Sequence, residues 1–99
     1  MNKYAVEFKR QFQKELKLAQ KRGMDVNLLR DVIQYLANDI PLPPRHRNHM
    51  LQGSYRGMWE CHITPDWLLI YTKDTEIRII TLQHTGTHSD LFKSLPPIH

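Results

Sequence analysis

The sequence has little cysteine, no long apolar run and no secretory signal, and each absence excludes a class of protein. Cys61 is the single cysteine of the 99-residue chain, so no disulfide can form within it, as is usual in a reducing compartment. The longest apolar run, from Trp67 to Tyr71, is far too short to cross a bilayer. The N-terminal residues lack the apolar segment of a signal peptide. We therefore expect a cytoplasmic protein of one domain that does not contact a membrane.

Acidic residues are scarce in the first part of the chain. Residues 1–58 carry eleven Lys and Arg against five Asp and Glu, whereas residues 59–99 carry three against five. Arg10, Lys14, Lys17 and Lys21 recur at helical spacing and form a cationic stripe. This stripe predicts a polyanionic partner such as a phosphate backbone, and its alternative is an ordinary solubilising surface.

Two amphipathic helices are predicted in the first half of the chain. Apolar residues at spacings of four and three place one helix from about Phe8 to Arg22, and Gly23 follows its end. Asp25 is a candidate N-cap for a second helix, which ends near Asn38 before a Pro-rich loop. The residues from Lys3 to Glu7 can form a short strand before the first helix.

The second half changes to the two-residue period of strands. Three strands are predicted, from Arg56 to Ile63, from Trp67 to Lys73 and from Ile77 to Gln83. This order predicts an α+β fold, in which helices cover one face of an antiparallel sheet and the other face stays partly open. Arg56, Glu60 and His62 share the polar side of the first strand, so chemistry is expected on that open face.

The chain has six histidines, and a metal site is the first function that they suggest. His84 and His88 have the spacing of a helical ligand pair, but Thr85-Gly86-Thr87 is poor helix sequence and no Cys, Asp or Glu completes a ligand pattern. We therefore expect no metal and no cofactor.

Proton transfer is the second function that the histidines suggest. Imidazole titrates near pH 6.5, so converging histidines supply both an acid and a base. Cleavage of RNA needs a base for the ribose 2′-hydroxyl, an acid for the leaving 5′-oxygen and a cation for the phosphate. It needs no metal, and DNA lacks the attacking hydroxyl.

Several residues have a plain structural interpretation. Asp66 is ordinary turn material, and Trp67 and Phe92 are core residues by default, although exposed aromatic rings also stack on bases. Cys61 falls on the apolar side of its strand, which predicts packing rather than a nucleophile.

Four segments together resemble one protein family. The segments HMLQGSYRG, CHITPDWLLIY and HTGTHSDLF, with the helical segment KELKLAQKRG, are similar to the YafQ branch of the RelE/ParE superfamily of bacterial toxins. The resemblance runs from about Tyr4 to Phe92. It implies a RelE-like microbial ribonuclease fold over residues 1–99, in which two N-terminal helices pack on an antiparallel sheet and a short C-terminal helix follows.

The resemblance also implies a function and a set of partners. Such a toxin is an mRNA interferase of a type II toxin–antitoxin system, a ribosome-dependent endoribonuclease that cleaves mRNA in the A site and inhibits translation. Catalysis is by metal-independent acid and base groups, with attack of the ribose 2′-hydroxyl. The expected partners are a cognate antitoxin, the 30S A site of the ribosome and mRNA, with operator DNA bound only indirectly through the antitoxin complex.

By this resemblance, four residues are catalytic and four bind substrate. The expected catalytic residues are His49, His62, Asp66 and His88, and the expected substrate-binding residues are Arg56, Trp67, His84 and Phe92. His88 is expected to be the principal acid or base and Asp66 to orient it or to share proton transfer. His49 and His62 are expected to bind phosphate and assist. The assignment of acid and base stays open.

Position 84 departs from the family pattern. Similar toxins commonly have Arg immediately before Thr-Gly-Thr-His, where this chain has His84. Arg is a permanent cation, whereas His is charged only in part at pH 7. Either His84 supplies a weaker charge, or Arg56 or Arg78 replaces it.

Two other functions compete with the nuclease. One is a ParE-like toxin of the same fold that poisons gyrase without catalysis, which would have no need of paired proton-transfer groups. The other is an inactive RNA-binding regulator, which is disfavoured because no helix-turn-helix or ribbon-helix-helix pattern is present.

Overall fold

The computed structural model describes residues 2–92, so Met1 and residues 93–99 of the expected domain lie outside the described residues. The helices are α1 (Arg10–Lys21), α2 (Val26–Ala37) and α3 (His88–Phe92). The strands are β1 (Ala5–Phe8), β2 (His49–Met50), β3 (Trp59–Thr64), β4 (Trp67–Asp74) and β5 (Ile79–Gly86). Two 3-10 turns, Pro44–His46 and Gly53–Tyr55, lie in the loops around β2. No helix within this part of the chain is long and apolar enough to cross a membrane.

The five strands form one sheet in the order β1-β5-β4-β3-β2. Neighbouring strands are antiparallel except for β1, which pairs in parallel with β5. Parallel pairing needs a long connection, and the two helices and three other strands between β1 and β5 provide it. The predicted α+β fold is confirmed, with two N-terminal helices, a largely antiparallel sheet and a short C-terminal helix.

The helices agree with the sequence prediction except at their ends. Helix α1 begins at Arg10 rather than Phe8, because Phe8 belongs to β1 and its ring stacks on Phe12 with centroids 5.9 Å apart. Asp25 is the N-cap of α2, as predicted, and its carboxylate accepts from the Asn27 N–H at 2.9 Å.

The prediction for the first strand after the loop was wrong at its N-terminal end. Strand β3 begins at Trp59, because Gly53 and Gly57 adopt positive φ angles of 67° and 91° and turn the chain through residues 53–57. Arg56 therefore lies on an exposed turn and not on the sheet. Strand β5 begins at Ile79 because the Asp74 carboxylate accepts two backbone N–H groups and extends the preceding turn.

The sheet has a hydrophobic core on each face. The larger one lies between the sheet and α1 and α2, and it contains Phe12, Ala19, Leu29, Val32, Leu36, Cys61, Leu69, Tyr71, Ile80 and Leu82. Burial raises the pKa of the Cys61 thiol to about 12, which agrees with a packing role. The smaller core lies on the opposite face and contains Leu51, Leu68, Ile70 and Leu91. This smaller core is the floor of the candidate site.

Candidate active site

A cavity of about 450 Å³ lies over the smaller core, on the sheet face away from α1 and α2. Its lining comes from β2 and the residues on either side of it, from β3 and from α3. The lining residues are Arg47, His49, Met50, Leu51, Gln52, Glu60, His62, His88 and Phe92. Four of the residues expected from the sequence, His49, His62, His88 and Phe92, therefore meet here.

Glu60 lies between two of the histidines. Strand register places His49 of β2 opposite Glu60 of β3, and Glu60 and His62 share a face because they are two residues apart. The buried Glu60 Oε1 is 3.4 Å from His49 Nε2 and 3.7 Å from His62 Nε2. The His49 ring is also held from its other side, because Nδ1 donates to the Arg47 carbonyl at 2.6 Å. A buried carboxylate thus orients two imidazoles.

His62 is the most enclosed histidine of the cavity, with a side chain only 14% exposed. Burial lowers its pKa below the usual 6.5, Glu60 opposes this, and the charges of His88, Arg47 and His49 lower the pKa further. His62 is therefore neutral at pH 7. Its main-chain carbonyl accepts from the buried His46 Nδ1 at 2.6 Å, which fixes this end of β3.

Helix α3 presents His88 to the same cavity. The start of the helix is capped reciprocally, because the Thr87 N–H donates to the Asp90 carboxylate and the Asp90 N–H donates to the Thr87 hydroxyl. Arg22 from α1 donates to the same carboxylate at 2.6 Å. The exposed His88 ring lies 5.8 Å from the His62 ring and 5.9 Å from the Phe92 ring, measured between centroids.

Four of the predicted residues, Arg56, Asp66, Trp67 and His84, lie outside the cavity lining. Trp67 is 1% exposed, and its Nε1 donates to the Thr85 hydroxyl at 2.8 Å. The expectation that Trp67 binds substrate is therefore corrected, since the ring is a core residue. Asp66 and Arg56 are exposed on turns, and neither is among the described residues that line the cavity.

His84 has a different environment from His88. Its Nδ1 lies 3.2 Å from the Glu15 carboxylate, and its ring meets the Tyr55 ring edge-on at 6.0 Å. Tyr55 in turn contacts Phe92, with centroids 5.5 Å apart. His84 is thus separated from the cavity by two aromatic rings, and the lining of residues 2–92 does not include it.

Two charged residues of the cavity, Glu60 and Arg47, were missed from the sequence as site residues. The alternation of β3 already placed Glu60 on the same side as His62, and an acidic residue beside a histidine on that side is the signal that was available. Arg47 gave no such signal, because it lies in a loop.

Glu60, His62 and His88 also have the geometry of a metal site. Each offers one ligand atom, and these three atoms lie within 4.8 Å of one another. The sequence pattern lacked an acidic ligand near His84 and His88, and the fold supplies one from β3. One carboxylate and two imidazoles suit Zn²⁺ or Cu²⁺.

Known proteins share both the sequence and the fold. The mRNA interferase toxin YafQ of Escherichia coli strain K12 is 43% identical over 88 residues, which are 88% of this chain and 94% of that protein. The crystal structure of the E. coli DinJ–YafQ toxin–antitoxin complex matches with a TM-score of 0.82 and 40% identity, over 91% of this chain and 98% of that one. A metal-bound toxin from Helicobacter pylori matches with a TM-score of 0.85 and 37% identity, over 90% and 99% of the two chains.

The fold, the histidine cavity and these likenesses together define a class, the toxins of bacterial toxin–antitoxin systems. A family model described as the bacterial toxin of a type II toxin–antitoxin system, YafQ, matches residues 4–93. The chain belongs to this family, the YafQ toxins. The resemblance inferred from the four sequence segments is confirmed.

Proposed function

We propose that this toxin is an mRNA interferase, an endoribonuclease that cleaves mRNA in the ribosomal A site and so inhibits translation. The observation that carries the proposal is the pair of His62 and His88, whose rings face each other in one cavity 5.8 Å apart. Burial lowers the pKa of His62 and so favours the neutral ring that a base needs, while the exposed His88 ring faces it across the cavity. The activity named for the E. coli relative supports the same reaction.

The reaction proceeds by attack of the ribose 2′-oxygen on the adjacent phosphorus. His62, neutral at pH 7, takes the proton of the 2′-hydroxyl as the new O–P bond forms. His88 gives a proton to the 5′-oxygen as the P–O5′ bond breaks, which leaves a 2′,3′-cyclic phosphate and a free 5′-hydroxyl. His49 and Glu60 hold the histidine set in place, and Phe92 offers a ring for base stacking at the cavity wall.

Asp66 and His84 have supporting roles in this proposal. Asp66 is at the β3–β4 turn that follows His62, so it acts on the orientation of β3 or on RNA outside the cavity. His84 is joined to Phe92 through Tyr55 and contacts RNA beyond the scissile phosphate.

The partners follow from the exposed surface and from the relatives. Arg10, Lys14, Lys17 and Lys21 are all exposed along α1, which suits the phosphates of ribosomal RNA. We propose a cognate antitoxin as a partner, because an E. coli relative was solved in a toxin–antitoxin complex. In this proposal operator DNA is bound only indirectly, through the antitoxin complex. The compartment of action is then the cytoplasm, where ribosomes and mRNA meet.

A metal is not needed for this chemistry, because the nucleophile belongs to the substrate and both proton carriers belong to the protein. An ion held by Glu60, His62 and His88 would take the nitrogen lone pairs that proton transfer uses. The metal in the H. pylori relative is therefore compatible with inhibition of this site.

Induced expression with mapping of mRNA ends tests the proposed function. The wild type should arrest growth and cut mRNA at discrete in-frame positions, and a message without a start codon should stay intact. His88→Ala should relieve both effects, with the antitoxin-bound yield as a folding control. Growth arrest with intact mRNA and broken DNA would instead support the gyrase-poison alternative.

A further inference from the structure

Negative charge develops on the phosphate oxygens during the proposed reaction. The histidines of the cavity already have other roles, because His62 and His88 transfer protons and His49 contacts Glu60. Stabilisation of that charge is often the largest contribution to such a reaction, and it calls for a cation at the phosphate. A guanidinium suits this role because it is permanently charged and binds two oxygens at once.

The two arginines that the sequence suggested for this role, Arg56 and Arg78, lie outside the cavity lining. Arg78 lies in the turn between β4 and β5 with its guanidinium 5.7 Å from the Tyr4 ring centroid, on the side of α1 and α2. Arg56 lies on the exposed turn before β3. Neither residue belongs to the cavity lining.

His84 is engaged elsewhere. The Glu15 carboxylate lies 3.2 Å from its Nδ1 and also accepts from the Thr85 N–H at 3.1 Å. This carboxylate offsets any positive charge on the ring, and Tyr55 separates the ring from Phe92. His84 is therefore a poor replacement for an arginine at the phosphate.

Arg47 is the arginine that lines the cavity within the described part of the chain. It stands in the left-handed backbone conformation, with φ 45° and ψ 47°, after the 3-10 turn Pro44–His46. Its carbonyl accepts from His49 Nδ1, so the same residue that carries the guanidinium also orients a histidine. Among residues 2–92 its guanidinium forms no ion pair, and its side chain is exposed at the cavity.

We propose that Arg47 binds the scissile phosphate and stabilises the negative charge that develops on it. This inference rests on the proposed nuclease function and assigns its missing cation. The substrate group is a phosphodiester of single-stranded RNA, held between the Arg47 guanidinium on one side and the His62 and His88 rings on the other. The charge of Arg47 also reaches His62, because it contributes to the lowered pKa of that ring.

The test compares Arg47→Asn and Arg47→Lys with the matched control Arg45→Asn, which changes an exposed arginine of the same loop outside the cavity lining. Asn tolerates the left-handed conformation and keeps the carbonyl that holds His49, so the substitution removes only the guanidinium. We expect Arg47→Asn to lower the single-turnover cleavage rate of mRNA on programmed ribosomes by about 10²–10³, as for loss of one charge-stabilising donor. Arg47→Lys should keep part of the rate, and Arg45→Asn should stay near wild type.

Binding gives a second measurement that does not depend on cleavage. With RNA whose 2′-hydroxyls are methylated, Arg47→Asn should reduce the slope of log affinity against log salt concentration by about 0.7, the value for one phosphate contact on a single strand. Arg45→Asn should leave the slope unchanged.

The pH profile separates this role from a merely structural one. The groups that face His62 are Glu60 on its own strand, His49 on β2, His88 on α3 and Arg47 in the loop. Removal of the Arg47 charge should raise the pKa of His62 and move the acidic limb of the profile to higher pH. Equal thermal stability of Arg47→Asn and Arg45→Asn shows that the fold is retained, and Arg47→Gln removes the same charge if Asn lowers stability.

The outcomes distinguish the two proposals. If the wild type cleaves mRNA and Arg47→Asn cleaves it as fast as Arg45→Asn, the assignment of Arg47 is overturned while the nuclease stands. If the wild type cuts no mRNA, the nuclease itself fails. Slow cleavage by Arg47→Asn with an unmoved salt slope and pH profile also overturns the phosphate contact.

Discussion

The Arg22 guanidinium lies 2.6 Å from the Asp90 carboxylate and so joins the end of α1 to the first turn of α3. Helix α3 has only five residues, and a helix this short depends on its cap and on tertiary contacts. His88 begins this helix, so the ion pair at Asp90 sets where a proposed catalytic ring stands.

Asp90→Ala should loosen α3 because it removes both the reciprocal cap and the ion pair with Arg22. We expect a loss of about 1–2 kcal/mol in the free energy of unfolding, most of it from the cap, since the ion pair is partly exposed. Urea denaturation measures this loss, and mRNA cleavage should fall with it. Ser89→Ala, an exposed neighbour on the same helix, is the control. An unchanged stability of Asp90→Ala would contradict the anchoring role.

The same carboxylate predicts an acid-sensitive contribution to stability. Hydrogen bonds from Arg22 and Thr87 hold the pKa of Asp90 below its usual 3.8. The stabilisation is therefore complete above about pH 4, the usual range of the unfolded side chain, and is lost as the pH falls through the folded pKa. The stability difference between wild type and Asp90→Ala should shrink on acidification, and a difference that grows would contradict this sign.

The pKa of His62 should set the acidic limb of the profile of cleavage rate against pH. Its pKa lies below 6.5, chiefly because of burial, so the wild type should remain active at pH values where a free imidazole is already protonated. Glu60 raises this pKa, so Glu60→Gln should move the limb to lower pH, and the exposed Glu76→Gln should not move it. The measurement is kcat/KM against pH. A limb at or above 6.5, or one that Glu60→Gln leaves in place, argues against His62 as the base.

Metal ions should inhibit the toxin rather than activate it. Toxin that has been treated with EDTA and then separated from the chelator should cleave mRNA on Mg²⁺-supported ribosomes at the untreated rate, whereas added Cu²⁺ should slow cleavage by occupying Glu60, His62 and His88. Loss of one ligand in Glu60→Gln should weaken the binding of Cu²⁺, which can be followed by titration without any cleavage assay. Loss of cleavage by the EDTA-treated toxin and its recovery after reloading with Zn²⁺ or Cu²⁺ would refute the metal-independent reaction.

Substitution of Trp67 should change stability rather than RNA binding. Trp67→Ala should cost about 3–5 kcal/mol in the free energy of unfolding, because it empties a fully buried position. Trp67→Phe keeps most of the packing and loses the hydrogen bond to Thr85, so the protein should fold and bind methylated RNA with wild-type affinity. Weak RNA binding by a stably folded Trp67→Phe would restore the contact that the sequence suggested.

Local patterns predicted those parts of the fold that local chemistry determines. The Asp25 cap, the apolar faces of the two helices and the packing of Cys61 each depend on neighbours along the chain or on the period of one element. The substrate contact of Trp67 came from the family resemblance. The residue type alone favoured the core, and the burial of Trp67 agrees with that interpretation.

The cavity depended on contacts that are distant in sequence. The register between β2 and β3 brings His49 to Glu60, and the capped start of α3 brings His88 to His62. The prediction that Arg56 lies on the first strand was wrong, because turns at Gly53 and Gly57 precede the start of β3 at Trp59. Arg47 lies in a loop, where no periodic pattern indicates which residues face the cavity. The family resemblance indicated the histidines of the cavity, but it did not indicate Arg47 or the buried Glu60.

The burial of Cys61 has a consequence for how a cell can control this toxin. Oxidants and electrophiles react with thiolates that they can reach, and the one sulfur of this kind is 0% exposed and stays protonated at physiological pH. Oxidants in solution therefore cannot reach the thiol of the folded toxin. A signal that acts through thiol oxidation therefore requires a thiol on another molecule.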